Sequence, residues 1–170
     1  KVVNQKLPNL DGVQITIKRE DLLHNTVSGN KFRKLKYNLD QATREGYNSL
    51  LTFGGPFSNH LAATAAAGRI KGFKTIGVVR GDEKYQNPTL QFCQDQGMTL
   101  FQVSRSTYRE KHNSHFREIL RQKFGKFYLI PEGGTNSIAV RGCSEILTTA
   151  DKDFDVICCS VGTGGTLLGL

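Results

Sequence analysis

Apolar and polar positions along the chain follow two alternating periods. Short β-rich runs dominated by Val, Ile, Leu, Phe and Thr fall at 14–17, 49–53, 75–79, 99–103, 126–130 and 154–161. Runs of this kind between turn-forming residues read as strands. Longer segments with an apolar residue every three or four positions lie between them, at 31–45, 59–70, 88–96, 108–124 and 138–150. That spacing puts the apolar side chains on one face of a helix. Gly46, Gly72, Gly97 and Gly125 each follow a helical run, where a residue tolerant of positive φ ends it. Strand and helix in repeated alternation predict an α/β fold with open, largely parallel, twisted sheets and helices on both faces. The middle, 39–134, reads as a self-contained run of βα units, and the flanks, 1–38 and 135–170, carry different loops, which hints at more than one structural unit. The sequence stops at Leu170, a few residues into an expected helix, and so reads as part of a longer polypeptide.

Composition narrows the class. Of 170 residues, 38% are hydrophobic and 22% charged, with 18 glycines. This is a globular composition, too apolar for a disordered chain. The net charge of +8 raises the question of nucleic acid. The densest basic stretch carries Arg109, Lys111, Arg117, Arg121, Lys123 and Lys126, and reads as the solvated face of a helix with Phe116, Ile119 and Leu120 behind it. No recognised nucleic-acid module accompanies it, so no nucleic-acid partner is expected. His112 and His115 share that helix without an evident third metal ligand, so no metal is expected. Cys93, Cys143, Cys158 and Cys159 form no C-x-x-C pair. Cys158 and Cys159 lie in an apolar run and read as small core residues. The cysteine pattern fits a reducing compartment, and no apolar stretch reaches the roughly 18 residues of a membrane span. A cytoplasmic protein without a membrane partner is the expectation.

Three loops carry candidate chemistry, on the rule that ligands of open α/β sheets bind beyond the carboxyl ends of strands. Ser160-Val161-Gly162-Thr163-Gly164-Gly165-Thr166 follows the apolar run at 154–159. Glycines let a backbone approach a ligand closely, successive N–H groups cradle anions, and a helix starting near Gly165 would add its dipole. No Gly-Lys-Ser/Thr follows, and Leu167 stands where a dinucleotide fingerprint needs its third glycine. That residue speaks against a nicotinamide dehydrogenase. Gly54-Gly55-Pro56-Phe57-Ser58-Asn59-His60 leads into an alanine-rich helix. Ser58 is a natural N-cap, and Asn59 and His60 fall in the first turn, whose free N–H groups attract a carboxylate. A histidine there commonly sits at the surface. Ser28-Gly29-Asn30-Lys31-Phe32-Arg33-Lys34-Leu35 places Lys31 at a helix start, against the dipole, with Lys34 on the same face. Either it is a solvated basic turn or Lys31 is a desolvated amine able to act as a nucleophile.

Taken in order, Lys18-Arg19-Glu20-Asp21-Leu22 and the three loops resemble the fold type II pyridoxal-phosphate enzymes of the tryptophan synthase β superfamily. Within it they resemble the branch of 1-aminocyclopropane-1-carboxylate deaminase and D-cysteine desulfhydrase. The resemblance implies a two-domain architecture of which this is the N-terminal half, with 1–38 and 135–170 in the large cofactor-binding domain. It implies pyridoxal 5′-phosphate as cofactor, with Lys31 forming the internal aldimine and later moving protons. Asn59 would bond the cofactor's 3-hydroxyl. Gly162, Thr163, Gly164, Gly165 and Thr166, aided by Lys34, would cradle its phosphate. Ser58, with the N–H groups of Asn59 and His60, would hold the substrate carboxylate, and Ser58 would assist the chemistry. Phe57 stands where many members carry glutamine. The implied activity is deamination or carbon–sulfur cleavage of a small amino acid, giving ammonia and a 2-oxo acid, in a homodimer. Other β-elimination or β-replacement enzymes of this fold, and a non-catalytic cofactor- or anion-binding module, remain as alternatives.

Overall fold

The computed structural model describes residues 2–81 and 87–170. A short antiparallel pair, β1 (Asn4–Lys6) and β2 (Thr16–Lys18), comes first. It is followed by α1 (Asn30–Arg44), β3 (Ser49–Gly54), α2 (Asn59–Lys71), β4 (Lys74–Arg80), α3 (Pro88–Asp95) and β5 (Met98–Val103). Then come α4 (Arg105–Arg109), α5 (Ser114–Phe124), β6 (Tyr128–Ile130) and α6 (Ser137–Cys143). The main sheet is parallel, in the order β5-β4-β3-β6.

The period-two pattern of the strands decides what packs where. Leu50 on β3 faces a cluster with Leu35, Leu39 and Ala42 of α1 and Ala63, Ala66 and Ala67 of α2. Its neighbours Leu51 and Phe53 face the other side, against Tyr108, Phe116 and Leu120. Burial on both faces explains why β3 and β4 are near-continuous apolar runs. The alanines of α2 let it lie close to the sheet. A side chain added at Gly68 would stand 2.2 Å from Thr75 Cγ2, so nothing larger fits there. The four glycines expected to end helices all adopt positive φ.

Several expectations are corrected. The helix expected at 108–124 is broken at Asn113, whose extended backbone separates a 3-10 turn from α5 and whose side chain caps His115 N–H. Tyr108 is buried on the preceding turn, and Ile119 is exposed rather than part of the apolar face. The helix expected at 138–150 ends at Cys143, and helical geometry restarts only at Thr149–Asp151, where Thr148 and Asp151 form a capping box. The strand expected at 154–161 is absent, because no strand of the described residues runs beside it to complete a ladder. Val156, Ile157 and Val161 are exposed, Cys158 is exposed and Cys159 only half-buried, so the two cysteines are not core residues. The strand at 14–17 is shifted to Thr16–Lys18, and its partner β1, too short and polar to signal itself, went unread.

The start and end of the chain are tied together by Asp151. Its carboxylate accepts from Lys18 Nζ at 2.7 Å, Asn4 Nδ2 at 2.9 Å and Thr148 N at 2.7 Å. Burial alone would raise this carboxyl, but the bonds from Lys18, Asn4 and Thr148 outweigh it and hold the carboxyl below the usual carboxylate range. Asp151→Ala leaves the Lys18 ammonium unpaired and is expected to cost about 3 kcal/mol, read from denaturant unfolding of the full-length protein. The contribution is complete above about pH 4, where the unfolded carboxyl ionises, and fades as pH falls below it. The stability gap between wild type and variant should therefore close in acid.

Candidate functional site

The sheet order places β3 between β4, which follows it in sequence, and β6, which comes much later. The chain leaves β3 toward one side and returns on the other, and a crevice opens beyond the carboxyl ends of strands at such a switch point. The loop after β3 carries Ser58, Asn59 and His60, and the turn after β6 carries Glu132, Gly133 and Gly134. Both loops line a cavity of about 280 Å³. Lys31 and Lys34 of α1 line it from below, and Ser160, Gly162, Thr163, Gly164 and Thr166 close it. Stretches far apart in sequence thus line one cavity.

Ser58 caps α2 by accepting from Leu61 N at 3.3 Å, which leaves the N–H groups of Asn59 and His60 without helical partners. Gly54 makes this possible, since a side chain there would stand 2.7 Å from Ser58 Oγ. Lys34 is 2% exposed, yet its ammonium meets only neutral oxygens: Thr135 Oγ1 at 3.1 Å, Gly133 O at 3.3 Å and Thr163 Oγ1 at 3.5 Å. The Thr135 and Thr163 hydroxyls also bond each other. Lys31 Nζ rests on Asn30 Oδ1 at 3.2 Å, and Asn30 Nδ2 donates to Thr166 Oγ1 at 2.8 Å, joining the helix start to the glycine turn. Burial lowers the pKa of both lysines, and the charge of Lys34 lowers Lys31 further. The solvated basic turn is therefore not what forms.

His60 departs from expectation most. It is buried, with Nε2 2.8 Å from Thr52 Oγ1. Burial, then the charges of Lys31 and Lys34, push its pKa down to about 3, against the opposing pull of the Pro131 carbonyl. Gly165 is buried behind the cavity wall, where a side chain would crowd Thr135 at 2.7 Å and Lys34 Nζ at 3.1 Å. The helix expected from Gly165 is a single 3-10 turn, Leu167–Gly169, too short to supply a dipole. The positive charge beside this turn is the Lys34 ammonium.

Sequence reasoning missed Asn30, Thr52, Glu132, Gly133, Gly134 and Thr135. The turn after β6 had a readable signal, a double glycine directly after a strand, as at Gly54-Gly55. Thr52 had none, being one residue of an apolar strand. A second cavity, of about 370 Å³, is bordered by Ile17, Ile146, Phe154, Val156 and Ile157, and its Lys18 is already paired with Asp151. His112 and His115 gain no third metal ligand among the described residues. No helix of the described residues is long and apolar enough to cross a membrane.

A half-buried Lys31 side chain, a Lys34 ammonium held by hydroxyls and a carbonyl, and a glycine turn with room above Gly162 and Gly164 suit an aldehyde-bearing phosphate ester. Comparison with known proteins agrees: the pyridoxal-phosphate dependent enzyme family matches residues 4–170. The chain belongs to this family. A Thermotoga maritima protein provisionally named as a 1-aminocyclopropane-1-carboxylate deaminase is 38% identical over 98% of the chain and 55% of its own length. The bifunctional D-cysteine desulfhydrase/1-aminocyclopropane-1-carboxylate deaminase, mitochondrial, of Arabidopsis thaliana is 31% identical over 96% of the chain and 45% of its own length. A solved structure of an ACC deaminase homologue superposes with a TM-score of 0.83 at 30% identity, covering 99% of this chain and 55% of that one. The chain thus spans about half the length of the relatives it matches, and its architecture is that of fold type II members of this pyridoxal-phosphate family.

Thr135→Val removes the nearest acceptor of the Lys34 ammonium and the partner of Thr163. Affinity of the full-length protein for inorganic phosphate, measured calorimetrically, is expected to fall about tenfold.

Proposed function

We propose that the full-length protein is a pyridoxal-phosphate dependent deaminase or carbon–sulfur lyase acting on 1-aminocyclopropane-1-carboxylate or D-cysteine. The observation that carries this reading is the desolvated Lys31 amine in a cavity shared with a carboxylate-sized helix start and a phosphate-sized glycine turn. The names of the relatives supply the two substrates. When bound, the cofactor offers an electron sink for the carbon beside the substrate nitrogen.

The chain's own residues then take these roles. Lys31 Nζ is the amine for the cofactor aldehyde and, once released, the group that moves protons at the substrate carbons. Its lowered pKa leaves more of it in the neutral form that such work needs. Lys34 holds the phosphate with Gly162, Thr163, Gly164 and Thr166, and Gly165 keeps the wall behind them thin. Ser58 spends its oxygen lone pair on capping Leu61, so its proton is free for a substrate carboxylate or leaving group, beside the N–H groups of Asn59 and His60. The Asn59 amide is exposed at the rim, free to meet the cofactor's ring hydroxyl. Water balances both reactions: D-cysteine gives pyruvate, ammonia and hydrogen sulfide, and the cyclopropane substrate gives 2-oxobutanoate and ammonia.

The same proposal divides the protein into a small domain, 39–134, and a large one containing 1–38 and 135–170. The confinement of the parallel sheet to 49–130 supports this division. It also makes the working enzyme a small-molecule catalyst and homodimer, without a nucleic-acid partner, in the cytoplasm. Four free cysteines suit that compartment, although one relative is named as mitochondrial.

Lys31→Ala is expected to abolish the visible absorption of the cofactor-loaded protein and its trapping by borohydride. Turnover of either substrate should fall on the order of 10³-fold. Assays for 2-oxo acid from both substrates test the activity: product from at least one supports it, and silence from both with an intact cofactor spectrum turns the reading toward a binding module. Ser58→Ala is expected to slow turnover about 10²-fold while leaving the cofactor spectrum unchanged.

A further inference from the structure

Asn30 opens α1 without capping it. Gly29 takes the N-cap position, its φ of +60° turns the chain into the helix, and no side chain caps the first turn. Asparagine near a helix start ordinarily spends its amide on free backbone N–H groups. Here the amide is spent elsewhere. Its Oδ1 lies 3.2 Å from Lys31 Nζ, and its Nδ2 lies 2.8 Å from Thr166 Oγ1 in the glycine turn. A lysine ammonium can only donate, so it fixes which end of the amide faces it. The other end then donates to the Thr166 hydroxyl oxygen.

The link has a second anchor. Residues 30 and 34 are four apart and share a face of α1. Asn30 meets Thr166, and Lys34 Nζ meets Thr163 Oγ1 at 3.5 Å, so α1 touches the glycine turn at two points with Lys31 between them in sequence. Asn30 and Thr166 are also the two residues common to the walls of the 280 Å³ cavity and the neighbouring 370 Å³ one, so their bond is part of the partition between the two. We propose that Asn30 is a positioning residue for Lys31. One planar amide holds the amine by its oxygen and the glycine turn by its nitrogen, and so sets how far the amine stands from a phosphate ester seated in that turn. The proposal rests on the reading of Lys31 as the reactive amine.

Among the described residues, the charged and titratable groups around the link are neutral or engaged elsewhere. On α1 the Lys34 ammonium has its own three oxygens. Burial raises the pKa of the Cys143 thiol on α6 and lowers that of His60 on α2 to about 3. Glu132, across the cavity, is engaged by Tyr108 Oη at 2.8 Å and Lys111 Nζ at 3.5 Å. On the other side of Asn30, Lys18 pairs with Asp151 and Glu20 with Arg33. An acceptor bonds an ammonium more strongly than an amine, so removing Asn30 Oδ1 makes Lys31 easier to deprotonate while leaving it less well aimed. A carboxylate at the same position favours the ammonium.

The test uses the full-length protein, with reductive trapping at Lys31 by cyanoborohydride read by peptide mass spectrometry. Two aldehydes are compared, pyridoxal 5′-phosphate and pyridoxal, which lacks the phosphate. In Asn30→Ala the rate advantage of the phosphorylated aldehyde is expected to fall about tenfold, because the amine is no longer set against the phosphate site. This variant should melt close to wild type and bind inorganic phosphate, by calorimetry, within about twofold of wild type, since Lys34 and Thr163 remain. Across a pH series with pyridoxal, the midpoint of trapping should fall in Asn30→Ala and rise by about one pH unit in Asn30→Asp. An unchanged rate advantage in Asn30→Ala overturns the proposal. So does a loss of inorganic phosphate affinity as large as the loss of rate advantage, which would make Asn30 part of the phosphate site alone. An unchanged midpoint in Asn30→Asp overturns it too, as does a midpoint in Asn30→Ala that rises toward ordinary lysine, the mark of a loosened, hydrated site. Failure of the wild type itself to trap at Lys31 overturns the functional reading as well, and the wild-type arm alone detects it.

Discussion

Two ammonium groups, three residues apart on one face of α1, share a cavity wall without a carboxylate to neutralise them. Among the described residues neither Lys31 nor Lys34 forms an ion pair, although Lys18, Arg33 and Lys36 nearby all do. Burying a cation without a counter-ion is among the more costly things a fold can do. Here the cost is reduced by concentrating neutral oxygens on Lys34, which receives a carbonyl and two threonine hydroxyls from two separate turns. Lys31, with one amide oxygen, is left the more easily deprotonated of the pair in chemical terms. The two groups thus differ in their partners: Lys34 is surrounded by three oxygens, whereas Lys31 has one.

The surrounding architecture serves that difference. The β3–β6 junction opens the crevice, and the glycines on its rim admit backbone and ligand where side chains would collide. Gly54 gives Ser58 its place, Gly134 lets the turn after β6 pack against the ring edge of His60, and Gly165 brings the last loop against Lys34 and Thr135. Behind them a buried polar link fixes the distance between α1 and the turn after β6. Asn38 donates to Lys34 O at 2.7 Å and accepts from Asn136 Nδ2 at 2.7 Å, and Asn136 caps α6. The lysine-bearing face and the Gly133–Thr135 turn are therefore held as one unit, and a shift in either would change the acceptors around Lys34.

Much of this was legible from residue order. Lys31 and Lys34 fall on one helix face by spacing alone, Ser58 announces a cap, and the helix-ending glycines mark where each βα unit closes. Other features were not, for identifiable reasons. The run at 154–161 has the composition of a strand, but a strand exists only as part of a ladder, and none of the described strands runs alongside. Asn113 breaks a segment whose apolar spacing reads as continuous, because a cap competes locally with helix propagation. His60 looked like a surface residue, since its neighbours Ser58 and Asn59 are polar. Only packing against Thr52 and Gly134 turns its ring inward.

The sequence by itself determined the alternation of elements, the loops at strand ends and the residue types available for chemistry. These depend on local periodicity, turn preference and side-chain identity, all of which are written within a few residues of one another. The tertiary structure decided the burial of His60, the lowered pKa of Lys31 and the acceptors of Lys34. Burial is set by the packing of elements distant in sequence, and Lys34 finds the Gly133 carbonyl 99 positions away, a separation that no local pattern carries.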